Sequence, residues 1–291
     1  MSPLEEEHAP ALQDRRLVRR EEDRSYVPVI VKRNDETHRH PDDVLVAAIS
    51  EGLEQLHRPV LSLGLSSIAA GLILGFTAMA VAIVTIAAEP LQGWPMLERI
   101  LVALAYPLGF VICLTSGAEL FTEHTATAVY PVLDRKATLP MLLRLWTVVI
   151  VGNLIGALAS AGLLTLAEPV IGARLGYLEI ARHLVEPSAA QLMISAILAG
   201  WLMALGAWLI LATPPTVSQI VSIYIVTFLI GLGGLHHSIA GSVEMFAAYL
   251  AADEFTIAQT ARFITLALLG NLIGGSIFVA VLNYAHIRET R

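Results

Sequence analysis

Two adjacent histidines, His236 and His237, close a glycine-rich run, Gly231-Leu232-Gly233-Gly234-Leu235, inside an otherwise apolar stretch. Imidazole is the side chain whose charge changes nearest neutral pH, so His237 could donate a hydrogen bond to an anion or pass it a proton. An ionisable group at membrane depth reads as functional by default. The competing reading is a histidine that only ties a broken helix together. Thr122 lies in a second polar interruption, Ser116-Gly117-Ala118-Glu119-Leu120-Phe121-Thr122-Glu123-His124-Thr125. Its hydroxyl could face His237 and orient the ring or touch a substrate, and it could equally cap a half-helix. His236 is secondary, because neighbouring helical residues do not share a face. Glu119, Glu123 and Glu244 are expected near mouths or helix ends. Glu244 follows His237 by two helical turns and could share its stripe, but a solvated mouth acid is the stronger expectation. Ser238, Asn153 and Asn271 complete the candidates; the asparagines are expected to satisfy backbone groups freed by the two breaks.

Other chemistries find little support. His124, His236, His237 and Glu119 could converge on a metal, yet no HExxH or cysteine-rich spacing is present and adjacent helical histidines chelate poorly. No GxxxxGK[ST] loop supports nucleotide-driven pumping. The single cysteine, Cys113, sits in an apolar run and reads as a small packing residue.

The elements that must hold these residues are membrane helices. The 291-residue chain is 56% hydrophobic and only 15% charged, with a mean hydropathy of +0.69. About 20 apolar residues span the hydrocarbon core. Residues 63–88, 141–166, 190–212 and 261–285 qualify outright, and 100–133 and 219–251 qualify if each is allowed one polar break. The chain thus reads as an all-α integral membrane protein of six crossings. Irregular backbone survives at membrane depth only inside protein or along a wet cavity. Much of the net charge of −7 belongs to the first 60 residues and says little about a substrate. No signal peptide is expected, since the chain opens with acids. Residues 1–40 read as a disordered charged tail. Residues 41–60 read as an amphipathic helix, lying on the membrane surface or packed on the base of the bundle. A modest excess of short-loop positive charge places both termini, including 286–291, in the cytoplasm.

The chain also repeats. Ser66-Ser67-Ile68-Ala69-Ala70-Gly71 parallels Ser195-Ala196-Ile197-Leu198-Ala199-Gly200, and Gly152-Asn153-Leu154-Ile155-Gly156 parallels Gly270-Asn271-Leu272-Ile273-Gly274. Repeats over 61–166 and 190–285 with three crossings each must be inverted, and corresponding broken helices place a substrate path between the breaks. A half-helix beginning at membrane depth offers free N–H groups and partial positive charge to an anion. With only two lysines, Lys32 and Lys136, passage is favoured over retention. A weak-acid anion entering a dry constriction can protonate and cross as the neutral acid.

The Ser116–Thr122 segment, the two Gly-Asn-Leu-Ile-Gly motifs and His237-Ser238-Ile239-Ala240 together resemble the formate/nitrite transporter family over roughly residues 60–285. The resemblance implies an aquaporin-like protomer with interrupted second and fifth helices, a homopentamer with one pore per subunit, and passage of formate, nitrite or related weak acids as a channel or proton-coupled carrier. It assigns the central histidine to His237 and the loop threonine to Thr122. It puts an inner constriction at Leu120, Phe121 and Phe110, and an outer one at Tyr106 and Ile230. It implies a bacterial inner membrane, no enzymatic activity, no metal or cofactor, and no nucleic acid among the partners, which are a small anion and the lipid bilayer. The chain departs from the family pattern at Gly241, where an asparagine is usual, at His236, at Ile230, and in lacking a vestibule lysine. A neutral-solute facilitator and a non-transporting sensor or scaffold remain the alternatives.

Overall fold

The computed structural model describes residues 39–91 and 93–289. Nearly all of the tail read as disordered lies outside them. Among the described residues every element is helical: α1 (Pro41–His57), α2 (Val60–Ile73), α3 (Gly75–Ala88), α4 (Pro95–Ala105), α5 (Pro107–Thr115), α6 (Phe121–Thr127), α7 (Tyr130–Leu133), α8 (Leu139–Leu166), α9 (Glu168–Ile171), α10 (Arg174–Val185), α11 (Ala189–Ala212), α12 (Thr216–Gly233), α13 (Ser238–Ala251), α14 (Ile257–Gly275) and α15 (Leu282–Glu289). A π-helical segment, Ser276–Val281, joins the last two. Six spans are long and apolar enough to cross a membrane: Val60–Ala88, Pro95–Thr115, Leu139–Leu166, Ala189–Ala212, Thr216–Gly233 and Ile257–Arg288. The helices α6 and α13 resume the two interrupted crossings.

The inverted repeat is visible in the packing. Helix α2 lies along α8, and α11 lies along α14. In lipid, helices approach closely where small residues remove side-chain bulk. A Cβ on Gly71 would collide with the Asn153 backbone, and one on Gly200 with the Asn271 backbone. The same glycine-on-asparagine crossing thus occurs once in each half. Capping boxes start α11 (Ser188 with Gln191) and α14 (Thr256 with Gln259), satisfying otherwise free N–H groups.

Helix α1 buries Val44, Leu45, Ala48, Ile49 and Leu56 against the bundle, with α7 and α11 among its contacts. The apolar face of this amphipathic segment packs on the bundle. At the opposite end α10, which with α9 links the halves, packs on α13. Arg182 holds Glu254 with Nε at 2.7 Å and Nη2 at 2.9 Å, pinning α10 to the turn before α14.

Candidate functional site

Each interrupted crossing stops at a glycine in the left-handed region, Gly117 (φ 70°) in one half and Gly234 (φ 58°) in the other. This conformation costs glycine little and other residues more. Each break then runs three residues to a new helix start. There a buried asparagine from the last crossing of the same half takes up the loose backbone groups. Asn153 Oδ1 accepts from the Phe121 N–H at 2.9 Å, and its Nδ2 donates to the carbonyls of Ser67 and Glu119, both at 2.8 Å. Asn271 Oδ1 accepts from the Ser238 N–H at 2.8 Å, and its Nδ2 donates to the carbonyls of Ala196 at 2.8 Å and His236 at 3.0 Å. One amide closes three bonds, which an unsatisfied buried backbone demands.

The two breaks meet at His237 and Thr122. Both are buried, and His237 Nε2 lies 2.9 Å from Thr122 Oγ1. The ring also caps α13: its Nδ1 accepts from the Ala240 N–H at 3.2 Å. That bond leaves the proton of the neutral ring on Nε2, which donates to Thr122. The threonine's own O–H is then free to donate to a passing group. Phe110 sets its edge on the imidazole, with centroids 4.9 Å apart, and Tyr106 stacks on Phe110 at 5.3 Å.

A vestibule of about 530 Å³ opens from this point toward the α10 end. Tyr106, Ile230, His236, His237, Gly241 and Glu244 border it, under Glu98, Arg99, Glu179, His183 and Glu186. Tyr106 and Ile230 therefore share its wall with His237. Phe110, Leu120 and Phe121 do not border it; each is at most 1% exposed, so apolar side chains close the way beyond the histidine. His236 is not helical as the sequence argument supposed. It lies in the break, with Nδ1 2.7 Å from Ser195 Oγ, and shares the vestibule wall with His237.

Two carboxyls differ from expectation. Glu244 is not a solvated mouth acid. It is 4% exposed, on the His237 face of α13, because α10 roofs the vestibule. Glu119 is buried as well, held by Arg58 and by His124 Nε2. Arg58, at the end of α1, thus ties the amphipathic segment to the first break. Ser238 is buried, with an Oγ that has no hydrogen-bond partner among the described residues. No group of three metal-ligating side chains occurs among the described residues.

Sequence reasoning missed the α10 roof, with Glu179 and His183, and the seat of His236 on Ser195. The Arg182–Glu179 and Arg182–Glu254 pairs mark that roof, but only the first is visible as i,i+3 spacing. Ser195 could have been found as the first residue of the repeated segment.

A sequence profile described as "Formate/nitrite transporter" matches residues 42–285. The inner membrane protein YfdC of Escherichia coli (strain K12) is 32% identical over 247 residues, covering 82% of this chain and 76% of YfdC. An "FNT family ion channel" of known structure superposes with a TM-score of 0.76 at 18% identity, over 84% of this chain and 99% of that one. A "pentameric formate channel with formate bound" gives 0.67 at 21% identity, over 79% and 98%. At these identities the structural likeness establishes the fold and leaves the substrate open.

Proposed function

We infer the function from one premise: this chain belongs to the formate/nitrite transporter family. It moves small monovalent anions of weak acids, formate and nitrite foremost, across the membrane along the line between the two breaks. The observation that carries this reading is the Thr122–His237 contact, which joins the two inverted halves at the blind end of the vestibule. Four features support a path there. The wall is buried, it holds one directed hydroxyl donor, and it holds no buried cation to trap an anion. The aromatic and aliphatic collar of Tyr106, Phe110 and Ile230 strips water from what enters, which raises the cost of carrying charge and favours passage with a proton.

His237 is the positioning donor in this scheme. With Nδ1 on the Ala240 N–H it turns Nε2–H onto Thr122, and the Thr122 O–H faces the substrate. Leu120, Phe121 and Phe110 form the inner constriction, and Tyr106 and Ile230 the outer one. Five copies assemble with a path through each, in an arrangement like that of the pentameric formate channel it resembles. Both termini face the cytoplasm of a bacterial inner membrane. The α10 vestibule then opens outward, consistent with the flanking positive charges. The chain acts as a transporter and catalyses no reaction.

The test is transport by the purified protein in sealed vesicles, with internal pH and current read after addition of formate, nitrite, acetate or lactate. Anion-dependent acidification or current is expected. Solute flux confined to uncharged molecules, with neither signal from any of these anions, contradicts the reading.

A further inference from the structure

The vestibule is acidic for an anion path. From α4 it takes Glu98 and Arg99, from α10 Glu179 and His183, and from the α10–α11 turn Glu186. The side chain of Arg99 is committed, its Nε donating to the Leu232 carbonyl. Arg262 on α14 is likewise committed, its guanidinium donating to the carbonyls of Val185 and Pro187. Tyr106 and the two break histidines complete the ionisable groups that border the cavity with Glu244; Tyr177 and Arg182 of α10, which packs on α13, do not border it. Helices α2 and α3 carry none, and Arg144 on α8 points to the other end, where it bonds the carbonyls of Leu56 and Arg58.

Within this ring one carboxyl stands apart. Glu244 borders the cavity and is 4% exposed, and among the described residues it has no ion-pair or hydrogen-bond partner. It lies on the stripe His237, Gly241, Glu244, all three bordering the cavity, with no side chain at Gly241 to separate acid from histidine. Both nitrogens of His237 are already engaged, by the Ala240 N–H and by Thr122. A second proton on that ring must displace the Ala240 N–H. His236, which also borders the cavity, has its Nδ1 held by Ser195 Oγ, whereas the Glu244 carboxyl has no partner among the described residues to give up before it exchanges a proton with an entering solute.

Resting on the transport reading above, we propose that Glu244 is the proton-exchanging group of the α10-side vestibule, so that a weak-acid anion entering at this end takes up a proton before it reaches His237. In the exchange the Glu244 O–H bond breaks and its proton passes to the carboxylate of the entering anion. A neutral acid moves on toward His237, a carboxylate remains on Glu244, and a hydronium ion arriving through the vestibule restores its proton and leaves water. Until then the carboxylate opposes a second anion. Seven residues of helix place the two groups about 10 Å apart. At an effective dielectric near 20, this repulsion lowers occupancy by a bare anion roughly tenfold.

The experiment uses the full chain in vesicles, with formate as the protonatable probe and nitrate as the anion of a strong acid. In the native protein formate acidifies the lumen and nitrate, which carries no proton, does not. In Glu244→Gln, acidification per formate falls at least tenfold. A folded variant that acidifies as fast as the native protein overturns the assignment, and so does a native protein in which nitrate acidifies the lumen as readily as formate. A native protein silent with every weak acid overturns the transport reading first, and this inference with it. If Glu244→Gln fails to fold, the native protein is treated with dicyclohexylcarbodiimide, which modifies protonated carboxyls in apolar surroundings. An adduct at Glu244 with loss of acidification is expected. An adduct with full acidification, or no adduct there, overturns the proposal.

Discussion

Replacing Asn271 with alanine should cost stability out of proportion to the atoms removed. The amide is fully buried and makes three backbone bonds. Ala196 lies inside α11, where the helical ladder already occupies its carbonyl, so its loss counts little. The Ser238 N–H and the His236 carbonyl have no such cover, since both stand at the break. Leaving a buried polar group unpaired costs about 1–3 kcal/mol, so Asn271→Ala should lose about 2–6 kcal/mol. Asn153→Ala should lose a comparable amount, because it strands the Phe121 N–H and the Glu119 carbonyl in the same way. Asn271→Asp should rescue little, since it keeps the acceptor for Ser238 but turns lone pairs toward two carbonyls. Equilibrium denaturation in detergent micelles, followed by tryptophan fluorescence, gives the comparison. A loss below about 0.5 kcal/mol in either alanine variant would refute the idea that these amides hold the breaks in place.

Gly241→Asn, which restores the usual family residue, should destabilise the protein by about 1–3 kcal/mol, because a Cβ there runs into the Phe263 ring; Phe263→Ala in the same chain should recover part of the loss in a thermal melt. Thr122→Val removes the acceptor for His237 Nε2 and the free hydroxyl together, so formate flux should fall at least tenfold while the protein still assembles. In His237→Asn the pH profile of proton-linked uptake should shift more than yield or oligomeric state does; an unchanged profile refutes the role given to the ring. Burial pushes the Asp134 carboxyl up, but Lys136, Tyr284 and Arg288 together hold it below the usual carboxylate range. A depressed folded-state value stabilises above the unfolded one, near pH 4, and that stability is lost as pH falls further. Native protein should therefore lose more stability on acidification below pH 4 than Asp134→Asn does, as measured by melting temperature.

The crossings were legible because lipid demands long apolar runs, and the repeat was legible because close helix crossings demand glycine at fixed spacing. The inversion brought the two breaks to one level, but whether Thr122 faced His237 or capped a half-helix stayed open in the sequence; the structure shows the contact. What stayed hidden depended on the segment between the halves. Nothing in the composition of Arg174–Val185 says that it folds back over α13, and without that roof Glu244 reads as a surface acid. His236 was misjudged for a related reason. Helical face arguments do not apply to a residue in an irregular break, where Ser195 from the neighbouring crossing decides its orientation. The role of α1 was balanced between lipid and protein because an amphipathic face fits either; Leu45, Ile49 and Leu56 are buried against the bundle.

The central claim is that solute passes through the vestibule to His237, and access to that vestibule tests it most directly. Val102 borders the cavity one turn before Tyr106, and the single native thiol, Cys113, is buried. In a Cys113→Ala background, Val102→Cys should transport formate until it is treated with a bulky, membrane-impermeant thiol reagent. Formate uptake should then fall at least tenfold, and formate present during labelling should slow the modification. Complete labelling with undiminished uptake would show that the solute takes another route.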